Sequence, residues 1–244
     1  MIKKVTDTDS LSGVSSPLLP LICGDFLYPY NDTDGAYIQL DENEDITAVL
    51  SLKNGSATVV KMSSSVDINE IKIFLSFSCV TSFISDFPLQ FSNEKTYNLL
   101  TCVPDKKEEN GIHNLSVESG VSDYKSVYGL LSHSGENFQN WYPVFSKKIN
   151  NGFAEAVYKN VGGVFVSTAT ATAVYNDTAI ISGVYTSLDF RNQGYASECV
   201  NGLLNQLYKS GVKKTYLWCE NKNIPFYKKQ GFAICGEVYC GDEI

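Results

Sequence analysis

The stretch Val184-Tyr185-Thr186-Ser187-Leu188-Asp189-Phe190-Arg191-Asn192-Gln193-Gly194-Tyr195-Ala196-Ser197 leaves a strand-like segment and enters one with helical spacing. It reads as an anion cradle. The first turn of a helix leaves backbone N–H groups without intrahelical acceptors and carries the positive dipole end, so a strand, turn and helix start can hold a phosphate. Gly194 has no Cβ to keep a ligand away from the backbone.

Working outward, the helix predicted from Gly194 to about Ser210 places Ala196, Val200, Leu203, Leu204 and Leu207 on one apolar stripe, with Glu198, Asn201 and Asn205 off it. Gly211 is its expected stop. Lys214–Cys219 then reads as a strand, a short helix carries Tyr227 and ends at Gly231, and Phe232–Tyr239 reads as a last strand. Upstream, helical spacing around Tyr124, Val127, Tyr128 and Leu131 and an aromatic cluster at Phe138, Trp141, Tyr142 and Phe145 predict two helices. Three strands follow at Phe153–Tyr158, Gly163–Tyr175 and Thr178–Tyr185, the last two joined by the turn pair Asn176-Asp177. This order predicts an α+β fold with a mixed, mostly antiparallel sheet flanked by helices.

The first half predicts strands at Ala36–Leu40, Ile46–Leu52 and Ser56–Met62, with Asn54-Gly55 as a hairpin signal. Asp67-x-x-Glu70 predicts a capping box opening a helix through Ile71, Phe74 and Leu75. The element order repeats that around the cradle, so residues 1–118 are expected to form an α/β region, read as a degenerate second copy of the fold in 119–244. Ser64-Ser65-Val66-Asp67 lacks the Arg and Gly of the cradle. The boundary is placed in the polar stretch from Pro104 to Gly120.

Composition limits the function classes. No run approaches the roughly 20 apolar residues of a membrane span, and Met1–Asp7 turns polar where a signal peptide would become apolar, so a cytoplasmic protein is expected without membrane partners. The seven cysteines include no Cys-x-x-Cys pair, and His113 and His133 are the two histidines, which predicts reduced thiols and no metal site. A net charge of -8 argues against nucleic acid as a partner. The charge is uneven: residues 1–120 hold 8 Lys against 17 Asp and Glu, and residues 121–244 hold 11 Lys and Arg against 10 Asp and Glu. That split suits a polyanionic ligand in one half and a cationic substrate nearby, as well as a plain acidic surface.

Arg191-x-x-Gly194-x-Ala196 resembles the acyl-CoA signature R/Q-x-x-G-x-G/A of the GNAT superfamily of N-acetyltransferases. Asn221-x-Asn223-Ile224-Pro225-Phe226-Tyr227-Lys228-Lys229-Gln230-Gly231-Phe232 resembles the late N…FYeKxGF helix of the same family, and the likeness covers about residues 121–244. The resemblance implies acetyl-CoA as co-substrate, its pyrophosphate held by backbone N–H groups from Asn192 through Gln193, Gly194, Tyr195 and Ala196 to Ser197. Arg191 would add charge, and Gly183, Val184, Tyr185 and Thr186 would line the pantetheine arm on a strand that parts from its neighbour. Tyr227 would be the general acid for the departing thiolate, and Asn221, with Asn223 as competitor, would bond the pantetheine.

Two departures from the family stand out. Ala179–Tyr185 lacks the acidic residue often found on that strand, leaving Glu155 and Glu220 as candidate bases, and Leu188 replaces a frequent Pro. The implied activity is direct acetyl transfer to a primary amine. The alternative is a non-catalytic acyl-CoA-binding or protein-interaction module of the same fold.

Overall fold

The computed structural model describes residues 1–106, 111–116, 118–131 and 137–242. His133 and the charged run from Lys107 to Glu109 therefore lie outside the described residues. Along the chain the first elements are β1 (Ile2–Lys4), α1 (Leu19–Leu27), β2 (Gly35–Leu40), β3 (Ile46–Lys53), β4 (Ser56–Lys61), α2 (Ile68–Phe77), β5 (Ser82–Ser85) and β6 (Lys95–Cys102). They continue with β7 (Ile112–Leu115), α3 (Val121–Leu131), α4 (Phe138–Asn150), β8 (Glu155–Val161), β9 (Val164–Tyr175) and β10 (Thr178–Thr186). The last are α5 (Tyr195–Lys209), β11 (Lys214–Cys219), α6 (Ile224–Lys229) and β12 (Ala233–Asp242).

Two compact units interleave along this chain. The first holds residues 1–100, 218–224 and the strand from Ile234 onward, and the second holds 101–217 and 225–233. The stretch expected as a linker contains β7, which lies in the second unit. That strand pairs antiparallel with β8 and buries Leu115 completely. His113 and Asn114 between Ile112 and Leu115 are exposed, so its apolar signal is two residues with a polar pair between them.

In the first unit the strands run in the order β1-β2-β3-β4-β5-β12-β6. The Asn54-Gly55 turn closes the antiparallel β3–β4 pair, and β5 joins β4 in parallel after α2. Ile71 and Leu75 of α2 are fully buried against Leu50, Val59 and Phe83, which is the helical stripe meeting the sheet face. At the start of α2 the Asp67 carboxylate accepts from the Glu70 N–H at 3.0 Å. Gln39, only 1% exposed, locks this cap: it donates to the Asp67 carbonyl at 2.9 Å and to Glu70 at 2.8 Å and accepts from the Asp67 N–H at 3.0 Å. An open cavity of about 460 Å³ beside it is lined by Asp41, Glu42, Asp67 and Glu70. This helix end is filled by the protein's own carboxylates and repels phosphate.

The second unit orders its strands β11-β10-β9-β8-β7. Leu115, Tyr124, Val127, Phe145, Ala154, Ala156 and Tyr158 form its aromatic-rich core, with Trp141 and Tyr142 packed against them. Val200, Leu203, Leu204 and Leu207 of the expected α5 stripe are fully buried, Ala196 is half-buried, and Cys199 and Asn205, outside the expected stripe, are buried as well. Thr215 of β11 ties in the end of β6: its hydroxyl donates to the Cys102 carbonyl at 2.8 Å, and its carbonyl accepts from the Thr101 hydroxyl at 3.0 Å. Among the described residues no helix is long and apolar enough to cross a membrane, and no group of His, Cys, Asp and Glu side chains is arranged for a metal ion.

Asp67→Ala removes the cap acceptor at the start of α2. It is expected to lower stability by about 1 kcal/mol in urea denaturation, while Asp67→Asn, which keeps an acceptor, loses less.

Candidate functional site

β10 carries the first part of the site. Its antiparallel ladder with β9 pairs Ser182 with Thr170 and Tyr185 with Thr168, so Gly183 and Val184 together face Ala169. This is a β-bulge, which re-aims the backbone. Gly183 has φ of 62°, and a Cβ there would stand 2.6 Å from Thr170 Oγ1 and 2.7 Å from Leu131 Cδ2. Only glycine fits both constraints. On the other edge, the parallel ladder with β11 consists of Thr178–Ile180 against Lys214–Tyr216, and β10 runs on to Thr186 beyond it. The two strands therefore part within the second unit.

Hydrogen bonds fix the end of β10. The Ser167 hydroxyl donates to the Tyr185 carbonyl at 2.9 Å and lies 2.8 Å from Thr186 Oγ1, while the Ser187 N–H reaches the Val166 carbonyl at 2.9 Å. A short 3-10 turn at Leu188–Phe190 follows. Arg191 then bends back, donating from Nε to the Thr186 carbonyl at 3.1 Å with its guanidinium carbon 5.7 Å from the Tyr185 ring centroid. Arg191 thus braces the loop on its own strand. Asn192 takes φ of 61°, a conformation Asn tolerates better than most residues. Gly194 follows at φ 87° as the N-cap of α5.

No side chain caps α5. A Cβ on Gly194 would meet nothing within 4 Å, and Arg191, Asn192, Gln193 and Gly194 are exposed while Tyr195, Ala196 and Ser197 are half-buried. The helix start therefore opens outward, with its first N–H groups directed along the axis. An anion fits such an end, and α2 with its Asp67 cap offers the contrast.

Tyr227 lies in the same unit and is half-buried, with its ring edge-on to Phe226 at 4.9 Å and to Phe232 at 5.8 Å. Its carbonyl accepts from the N–H groups of Gln230 and Phe232 at 2.9 and 3.1 Å. Gln230, 7% exposed, donates from Nε2 to Ser197 Oγ at 3.1 Å and so ties the Tyr227 turn to the first turn of α5. Asn221 belongs to the first unit, where its side-chain oxygen accepts from Asn98 Nδ2 at 2.7 Å.

Gln230, Ser167 and Lys159 are the residues that spacing alone did not single out. Gln230 occupies a free position of the late motif. Ser167 and Lys159 come from strands far upstream, and no local pattern marks them. The Lys159 ammonium sits 2.7 Å from Glu198 in the first turn of α5. Behind the cradle Cys199 is fully buried, and burial pushes its thiol up to about 11 although the Ser167 hydroxyl pulls the other way. It carries no thiolate at neutral pH.

Residues 122–232 match the model of the acetyltransferase (GNAT) family. No protein of curated function matches the chain in sequence. Among solved structures the chain is similar to a Drosophila protein, with TM-score 0.65 and 9% identity over 99% of this chain and 98% of that one. It is also similar to a GCN5-related N-acetyltransferase from Sphaerobacter thermophilus, at TM-score 0.61 and 10% identity over 99% and 95% of the two chains. A GNAT-family acetyltransferase from Colwellia psychrerythraea aligns over 100% of both chains, at TM-score 0.55 and 11% identity. At these identities the likeness shows the fold, and it extends over the first unit as well.

The two candidate carboxylates have partners of their own. Glu220 is exposed and paired with Lys222 at 2.6 Å in the first unit. Glu155 accepts from Ser210 at 3.1 Å at the opposite end of α5, and Ser210 stands about 24 Å from Gly194 at the helical rise of 1.5 Å per residue. Burial raises the Glu155 carboxyl above its ordinary 4.5, and the Ser210 bond offsets part of that. A carboxyl raised by folding stabilises the native state below the unfolded pKa, and that contribution is lost as pH rises through the folded pKa. Glu155→Gln is therefore expected to melt above the wild type at neutral pH, with the advantage vanishing below about pH 4 in a pH series of thermal melts.

Proposed function

We propose that this chain, whose residues 122–232 match the acetyltransferase (GNAT) family model, transfers an acetyl group from acetyl-CoA to a primary amine by direct attack. One observation carries the reading. A strand that parts from its parallel neighbour leads, through a braced loop, into a helix start opened by Gly194, and the turn bearing Tyr227 is tied to that start through Gln230 and Ser197.

Backbone N–H groups from Asn192 to Ser197 would hold the pyrophosphate, with the dipole of α5 behind them. The amide-bearing pantetheine arm would run along Val184, Tyr185 and Thr186, as an added strand does. A backbone N–H near the Gly183–Val184 bulge would face the thioester oxygen as charge develops on it.

In the chemical step the neutral amine attacks the thioester carbon, the C–N bond forms and the C–S bond breaks. Tyr227 gives its phenolic proton to the departing thiolate and regains one as the nitrogen loses its own. An ordinary Tyr titrates near pH ~10 and is protonated at neutrality. The buried, protonated Cys199 argues for direct transfer and against an acyl-thiol intermediate. The first unit, in this reading, is a degenerate copy whose helix end is closed by Asp67, and its acidic surface suits a cationic acceptor.

The displaced Glu155 favours a second reading, a module of the same fold that binds acyl-CoA without turnover. It also fits an enzyme whose amine arrives neutral or loses its proton through water. Thermal shift with CoA is the first experiment: saturation at 100 Kd is expected to add about 2.7 kcal/mol, and no shift sinks both readings. Thiol release across a panel of amines then separates them. Tyr227→Phe is expected to lower kcat on the order of 100-fold with CoA affinity unchanged. Full activity in that variant removes Tyr227 from the mechanism.

A further inference from the structure

The cradle contains a charge of the wrong sign. Glu198 is the acidic residue of the first turn of α5, about 6 Å along the axis from Gly194. In the free protein the positive helix end favours that carboxylate, but it competes with a phosphate for the same dipole. Its Oε2 is buried although the side chain as a whole is 30% exposed. The Lys159 ammonium at 2.7 Å is its compensation. Lys159 comes from β8, its side chain is 16% exposed, and it lies 5.8 Å from the ring centroid of Tyr195, the first residue of α5.

We infer that Lys159 is a positioning residue that sets acyl-CoA affinity by neutralising Glu198 under the phosphate cradle. This rests on the proposed CoA reading. The physical content is a difference in sign between two variants. Removing Lys159 leaves an uncompensated, partly exposed carboxylate beside the bound pyrophosphate, so binding weakens, most at low salt. Removing the Glu198 charge leaves the ammonium unopposed near the same anion, so binding tightens. Removing both restores the original neutrality. An ion pair that merely holds β8 to α5 would weaken binding in either single variant.

The experiment is calorimetric titration of the full chain with CoA and, separately, with inorganic pyrophosphate, for wild type, Lys159→Gln, Glu198→Gln and the double variant. Melting curves accompany each. Lys159→Gln is expected to raise Kd at least tenfold, Glu198→Gln to lower it severalfold, and the double variant to return within about threefold of wild type. The Lys159→Gln loss is expected to shrink as salt rises. Unchanged affinity in Lys159→Gln, or a double variant as weak as that single one, overturns the inference while leaving the CoA reading intact. A wild type that binds pyrophosphate but not CoA overturns the CoA reading, and the pyrophosphate series then decides the role of Lys159. A wild type that binds neither overturns both. If Lys159→Gln does not fold, tighter binding by Glu198→Gln supports the inference and weaker or equal binding overturns it.

Discussion

The parallel ladder between β10 and β11 is three residue pairs long, and the rest of the second unit is arranged around its ending there. Two neighbouring strands gain by pairing along their whole length, so parting them leaves backbone groups that need other partners. β10 meets this on its other edge. It stays on β9 through Tyr185 and Thr186, absorbs an extra residue at Gly183–Val184, and is stapled by Ser167 and Arg191. The edge toward β11 is thereby kept apart by a strand held rigid from behind, and a rigid edge is what an extended ligand can pair with.

Two helix starts in this chain show how one residue decides chemistry. α2 begins at Asp67, whose carboxylate takes a first-turn N–H, with Gln39 holding both Asp67 and Glu70 in place. α5 begins at Gly194, which brings no side chain. Both follow an antiparallel hairpin and precede a strand that joins the hairpin in parallel. The frame is the same in kind, and the first residue determines whether the dipole is spent internally or turned toward solvent.

Much of the second unit was legible because its signals are local. The α5 stripe, the Asn176-Asp177 turn and the glycines at helix ends each act within a few residues, and α5, β9, β10 and β11 lie within about two residues of their expected limits. The two motifs marked the Gly194 loop and Tyr227. What escaped notice depends on distant partners. α1, with Pro20, Ile22, Cys23 and Asp25 all buried, has no polar face to reveal its period. β1, β5 and β7 are three or four residues long, and β5 gains its partner β12 from more than 150 residues away, as in Tyr239 against Ser85. Lys159, Ser167 and Gln230 have their roles through contacts across the fold, which spacing does not record. Glu155 was misleading because the pattern marks its strand but not which end of α5 that strand reaches.

The interleaving of the two units has a consequence for how the chain comes to be folded. β12 is the last strand described, yet it pairs with β5 in a unit whose other strands occupy the first hundred residues. During synthesis the first hundred residues emerge early and must wait, the β5 edge open, until residues 233–242 have followed. An open strand edge invites pairing with other chains. The nascent chain is thus exposed to misassembly while the intervening residues are made, and closure by β12 makes completion of one unit a checkpoint on the synthesis of the other.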